Sequence, residues 1–281
     1  MSDNQLTWEE AVQWLKSQDD RQELVKACYY DDPLLESAQR FVNSEEWQAV
    51  HDISKDWMHG KVLDLGAGNG ISSYAFAIAG CQVTALEPDP SEIVGAGAIA
   101  KLAKEANLDI EIIQNFGESL PFVDNSFDIV HGRQVLHHAK NLPKLCQEAA
   151  RVLRPNGLFI ATREHIISEY QDLEIFLQTH PLHQLYGGEN AFLLKQYYEA
   201  IAQAGLILRD SYGQYQSVIN YAPTTRSQHQ QNIANKLEKY LGSRLAKWIC
   251  SQPNFIELIN NIYTWRDRTP GRLYSFVAIK L

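Results

Sequence analysis

The chain has 281 residues, 45% of them apolar and 21% charged, with 34 Asp and Glu against 25 Lys and Arg. That apolar share can fill a sizeable core and excludes whole-chain disorder, while the length suits roughly two domains or one large α/β domain with insertions. A net charge of −9 argues against a general nucleic-acid binder, because phosphate backbones call for an excess of Lys and Arg.

Residues 223–281 alone run the other way, with nine basic and three acidic residues, a pattern that a solvated helical surface or an anion-attracting face would give. Cys28, Cys81, Cys146 and Cys250 lie far apart without a CxxC pair, so no zinc or redox site of the usual spacing is expected, and reduced thiols in a cytosol are. Residues 1–10 carry neither the basic nor the apolar segment of a secretory signal. Leu65–Leu86 is uncharged, but its four glycines and its change of rhythm read as loop, helix and strand rather than a membrane span. The expectation is a cytoplasmic protein with no membrane insertion.

Residues 1–58 read as an N-terminal helical cap. Trp8, Val12 and Leu15 recur at helical spacing, and Asn43-Ser44-Glu45-Glu46 resembles a helix start. Residues 59–219 read as the core. Val62–Leu65 is a short buried strand stopped by Gly66-Ala67-Gly68-Asn69-Gly70; a small-residue helix over 71–79 and a strand over Val83–Leu86 follow. A helix over 91–106, strands over 110–113 and 127–131, a helix near 141–152 and a strand over 158–162 continue the alternation. It predicts an α/β fold: a Rossmann-like, doubly wound, mostly parallel seven-stranded sheet. Residues 164–189 read as a lid, after which a helix near 190–203 and a strand near 206–212 resume the pattern. Residues 220–270 read as a helical insertion, and 271–281 as the last strand of the core.

A strand running into GxGxG and then a helix lets a ligand approach bare backbone, with the free N–H groups of the helix start beneath it. Glu87 ends the next strand, where an acidic side chain can accept both hydroxyls of a ribose. Asp64, two residues before the first glycine, suits a ligand with an ammonium group and no phosphate. S-adenosylmethionine is such a ligand.

Val62-Leu63-Asp64-Leu65-Gly66-Ala67-Gly68-Asn69-Gly70 resembles motif I of the class I S-adenosylmethionine-dependent methyltransferases, and Glu87-Pro88-Asp89 their second motif. Gly117-Glu118-Ser119-Leu120-Pro121-Phe122, then Asp124–Val130, is similar to the central signature of the type 11 methyltransferase group. Val135–His138 and Arg151–Gly157 extend the resemblance, which covers about residues 61–163 in order and spacing. It implies that Asp64 holds the methionine amino group through water, with the backbone of Gly66, Ala67 and Gly68 beneath the ligand. It also implies that Glu87 clasps the ribose, Pro88 lies beside the adenine, and Gly132, Arg133 and Gln134 line the methionine end. Arg133 would pair with the ligand carboxylate, or else form a surface ion pair with a nearby acid. Phe116 stands where the family often has an Asp on the adenine amino group. Either Glu118 replaces that contact, or backbone near Gly117 supplies it and Phe116 packs on the ring.

The implied activity is methyl transfer from S-adenosylmethionine, leaving S-adenosylhomocysteine, to a small-molecule acceptor such as a glycan, lipid or secondary-metabolite precursor. No metal is required for that chemistry, and the partner expected is the acceptor rather than a nucleic acid. His165, at the carboxyl end of the fifth strand, and His138, after the fourth, are the candidate catalytic bases. A cofactor-binding protein without catalysis and an NAD(P)-dependent oxidoreductase are the alternatives; the GxGxG spacing and Asp64 speak against the second.

Overall fold

The computed structural model describes residues 6–281; the first five residues of the expected cap lie outside the described residues. Eight strands form one sheet: β1 (Lys61–Leu65), β2 (Gln82–Leu86), β3 (Ile110–Ile113), β4 (Phe127–Arg133), β5 (Leu153–Ile167), β6 (Phe192–Leu193), β7 (Leu206–Tyr212) and β8 (Arg272–Lys280). The order is β3-β2-β1-β4-β5-β8-β7, with the two-residue β6 pairing β5 beside that path. The expected seven strands are all present, and β6 is the addition. Only β8 runs antiparallel, wedged between β5 and β7.

Alternation along the strands explains the layers. Val62, Ile129, Ile160 and Val277 face one apolar cluster, while Leu63, Val130, Phe159 and Phe276 face another. Successive strand residues point to opposite faces, so a sheet buried on both sides needs apolar residues at every position. Helices Leu34–Val42 and Ile71–Ile78 pack on the first face, and Leu142–Val152 and Leu194–Gln203 cover the second. Removing a large ring from such a layer, as in Phe159→Ala, costs about 3–5 kcal/mol.

Ser44 caps the helix Glu45–Ser54 by accepting the Trp47 N–H at 3.1 Å, as the helix-start pattern predicts. A reciprocal pair between Thr7 and Glu10 starts the helix Trp8–Lys16. Leu65–Leu86 is loop, helix and strand, and among the described residues no helix is long and apolar enough to cross a membrane. The four cysteines are unpaired.

Two boundaries differ from the sequence reading. The segment 164–189, read as a lid, begins inside β5, because Glu164, His165 and Ile166 pair with Tyr274, Leu273 and Arg272. That partner strand lies over a hundred residues away and leaves no local trace. The bend that the longer strand needs falls at Arg163, where the register with β8 shifts and φ is +60°. The helix after β2 starts at Ala96 rather than 91, since Ser91 and Asp89 use their side chains and carbonyls to build a turn first. Residues 220–270 are mainly helices Arg226–Leu241, Ser243–Cys250 and Pro253–Arg266, with a small apolar cluster of their own around Ile233 and Ile256.

Candidate active site

The sheet order reverses between β1 and β4, which opens a crevice at the carboxyl ends of those strands. A cavity of about 400 Å³ lies there. Asp64, Gly66, Ala67, Gly68, Glu87, Pro88, Phe116, Gly117, Glu118, Arg133 and Gln134 border it, and so do His138 and His165. Gly132 is the exception among the expected site residues. It is buried inside β4, paired with Leu65 and Ala161, so it shapes the strand rather than the cavity wall.

The glycine loop turns sharply, with φ of +62° at Gly66, +55° at Gly68 and +87° at Gly70. Side-chain-bearing residues rarely adopt such values. A β-carbon at Gly66 would lie 2.7 Å from Val135 Cγ2, so that glycine is fixed by packing. A β-carbon at Gly68 would meet nothing within 4 Å. Gly68 therefore leaves bare backbone under open space, the cradle that a ligand needs.

Glu87 is locked in place at the end of β2. Its carboxylate accepts the Gly68 N–H at 2.7 Å and the Asp89 N–H at 2.9 Å. Burial pushes its pKa up to about 7, against the pull of those two N–H groups. Asp64 is buried and holds Ser73 Oγ at 2.6 Å and His131 Nδ1 at 3.1 Å. Phe116 keeps 61% of its surface exposed at the cavity edge, with Lys140 Nζ 5.6 Å from its ring centre. Glu118 accepts the Lys140 N–H at 2.9 Å.

Arg133 faces an acid of the cap. Its Nε lies 2.7 Å from Glu46 Oε1 and another nitrogen donates to Gln134 Oε1 at 3.1 Å. The pair is buried, not on the surface. Burial works to raise the Glu46 pKa, but Arg133 and Arg163 outweigh it and hold the carboxyl below its usual range. Glu46 was not legible as a site residue, because its partner is 87 positions away.

The far end of the cavity is rich in histidine. His165 Nδ1 lies 2.7 Å from the Gly271 carbonyl, and burial with the neighbouring His137 lowers its pKa to about 3. It stays neutral at pH 7 and is a weak proton acceptor there, which counts against the base role expected for it. His138 is lowered likewise, by burial and by His137. His137 behaves oppositely: burial disfavours its charge, but Glu164 at 2.8 Å and Glu189 at 3.6 Å outweigh burial and push it up to about 9. The pair His137–His138 sits on a single 3-10 turn with ring centres 4.1 Å apart, closer than an α-helix would place them. Glu189 follows two glycines and carries no sequence signal.

Cap and lid close the cavity together. Trp8, Cys28 and Tyr30 come from the first, and His180, Leu182, Tyr186 and Glu189 from the second. Trp8 packs on Tyr186 at 4.6 Å, and the Leu6 N–H bonds the Leu185 carbonyl. Among the described residues none of the segment 220–270 borders this cavity. It builds a separate cavity with Arg163, Tyr215 and His229.

A family model described as a methyltransferase domain matches residues 63–161. An uncharacterized methyltransferase, YcgJ of Bacillus subtilis, is 32% identical over 125 residues, 42% of this chain and 45% of that protein. An uncharacterized methyltransferase of Mycobacterium avium is 35% identical over 114 residues, 41% of this chain and 42% of that protein. The chain thus spans under half the length of these curated relatives. Among solved structures, YcgJ superposes with a TM-score of 0.53 at 23% identity, covering 84% of this chain and 97% of that one. A geranyl diphosphate C-methyltransferase of Streptomyces coelicolor, in complex with Mg2+, geranyl-S-thiolodiphosphate and S-adenosyl-L-homocysteine, gives 0.57 at 13% identity, covering 83% and 76%. These likenesses carry the fold.

Proposed function

We propose that residues 63–161 form a class I S-adenosylmethionine-dependent methyltransferase domain, that the cavity binds S-adenosylmethionine and that the protein methylates a small-molecule acceptor. The observation that carries this reading is the open space over Gly68 beside the fixed carboxylate of Glu87, in one cavity with Asp64. Its volume falls in the range of small-ligand sites, about 300–1,000 Å³. When bound, S-adenosylmethionine supplies a methyl group already activated by a sulfonium.

The residues divide the remaining work. Glu87 accepts the ribose hydroxyls, and two backbone N–H groups keep its oxygens aimed. Asp64 attracts the ammonium end from behind Ser73 and His131, through water. Pro88, Phe116 and Gly117 flank the adenine, and Glu118 borders the same edge. Gln134 and Arg133 stand at the methionine end, with the Arg133 charge shared with Glu46. The acceptor enters under the cap and lid, whose Trp8, Tyr30, Leu182 and Tyr186 offer apolar contact and exclude water. His138 and His165 face the acceptor side and orient it.

Purified protein is expected to melt higher with S-adenosylmethionine or S-adenosylhomocysteine and to ignore NAD and NADP, since a ligand that binds only the folded state stabilises it. A rise with NAD alone overturns the reading. Isotope transfer from labelled donor into a metabolite pool then tests catalysis; donor binding without any transfer leaves a binding protein.

A further inference from the structure

Orienting an acceptor does not account for His137 and Glu189, which join His138 and His165 in one cluster on the cavity wall. One ligand atom each from His137, His165 and Glu189 lies within 4.8 Å of the others, and His137 Nε2 is 3.6 Å from Glu189 Oε2. His138 Nε2 is 3.9 Å from the same oxygen.

The far side of each group is what turns proximity into a site. His165 Nδ1 is 2.7 Å from the Gly271 carbonyl, and His138 Nδ1 is 3.1 Å from the Gly188 carbonyl. A carbonyl oxygen only accepts, so in both rings Nδ1 carries the hydrogen and Nε2 is the free lone pair. His137 Nδ1 lies 2.8 Å from Glu164 Oε2, a carboxylate that already accepts the N–H groups of Val135 and His137. Tyr186 donates its hydroxyl to Glu189 Oε1 at 2.6 Å, which leaves Oε2 to the histidines. Each inner group thus has a fixed outer partner, the arrangement by which proteins aim imidazole and carboxylate ligands at a metal.

Charge points the same way. Glu164 and Glu189 bring two carboxylates to a buried pocket, and a dication there would leave the group neutral. We propose that His137, His165 and Glu189 form a site for one divalent first-row transition-metal ion of the zinc or iron class, with open positions facing the cavity. Two imidazoles and one carboxylate suit such borderline ions, whereas calcium and magnesium take oxygen ligands. Ligand bonds of about 2.0–2.2 Å set the donor atoms roughly 3–3.4 Å apart, so side-chain shifts of about 1 Å complete the site. Binding releases the Nε2 proton that His137 directs at Glu189 to solvent. Resting on the donor reading above, an open position there suits an acceptor hydroxyl: the ion would lower its pKa, its proton would leave to solvent, and the oxygen would take the methyl as the carbon–sulfur bond of the donor breaks.

The test strips the protein with a chelator and titrates it with Co2+, then with competing Zn2+. One equivalent is expected, with visible ligand-field absorption that Zn2+ abolishes. Glu189→Gln and His165→Ala are each expected to weaken Co2+ binding more than about tenfold, and Tyr186→Phe, which removes an outer partner only, about tenfold. Circular dichroism checks folding, and Tyr186→Phe decides the matter where the ligand variants fail to fold. No stoichiometric uptake by the native protein, or uptake unchanged in the folded variants, overturns the site. S-adenosylhomocysteine affinity is measured on the same samples: metal uptake without nucleoside binding overturns the donor reading and leaves the metal site standing.

Discussion

Gly66 and Gly68 are two positions apart in one loop, and alanine at each should do different things. Both have positive φ, +62° and +55°, so each substitution carries left-handed strain of about 1–2 kcal/mol. At Gly66 the new methyl also meets Val135 Cγ2 at 2.7 Å in a packed wall, and overpacking of that kind costs a further 1–3 kcal/mol or so. At Gly68 it meets nothing, and the stiffer unfolded chain returns about 0.4–1 kcal/mol. Gly66→Ala should therefore lower the melting temperature by roughly 5–15 °C, and Gly68→Ala by under about 5 °C. Binding should rank the other way for Gly68→Ala, whose methyl stands in the cavity: S-adenosylhomocysteine affinity should fall at least about tenfold, or about 1.4 kcal/mol. Scanning calorimetry and titration calorimetry on the two variants measure both effects. Native affinity in Gly68→Ala would refute the placement of the ligand over this glycine, and equal melting losses would refute the packing argument at Gly66.

Glu87→Ala should weaken donor binding by about 1.5–3 kcal/mol while the fold survives; unchanged affinity removes Glu87 from the site. Glu87 also predicts a pH profile. Its folded pKa is raised from 4.5 to about 7, so its contribution to stability is full below pH 4.5 and is lost as pH rises to about 7. Replacing Glu87 with Gln should flatten that part of the stability curve, and a slope identical to the native one between pH 4.5 and 7 counts against the shift. If the ribose is held by the ionised form, donor affinity rises with pH up to about 7 and then levels; a flat profile from pH 5.5 to 8 contradicts this. Glu46→Gln leaves Arg133 buried without its counter-charge and should cost about 3–5 kcal/mol in urea unfolding, with a loss under about 1 kcal/mol showing that the pair is not needed.

What could be read from the sequence is what the chain specifies locally. Val62–Leu65 and the glycines after it announce a strand and a turn because the apolar run and the breakers are adjacent. Ser44 announces a helix for the same reason. The residues that remained hidden depend on partners far along the chain. Glu46 acquires meaning only opposite Arg133, and Glu189 only opposite His137. The full length of β5 depends on β8, and the bend at Arg163 follows from that pairing. His165 was legible as a residue at the ligand edge, but not its pKa, which is set by burial and by His137 on a different segment.

The position of β8 has a consequence for how the chain comes off the ribosome. Synthesis is vectorial, yet Arg272–Lys280, made after the seven other strands, fills the gap between β5 and β7. Until residues 272–280 emerge, β5 presents an unpaired edge along Phe159–Ile166, and the Gly271 carbonyl that fixes the His165 ring is missing. The glycine loop, β1, β2 and β4 can assemble early from nearby sequence, while the histidine end of the cavity must wait for β8. An exposed apolar edge of that length invites pairing with another chain. The nascent protein is thus vulnerable in the interval between making the glycine-loop end of its cavity and finishing the histidine end.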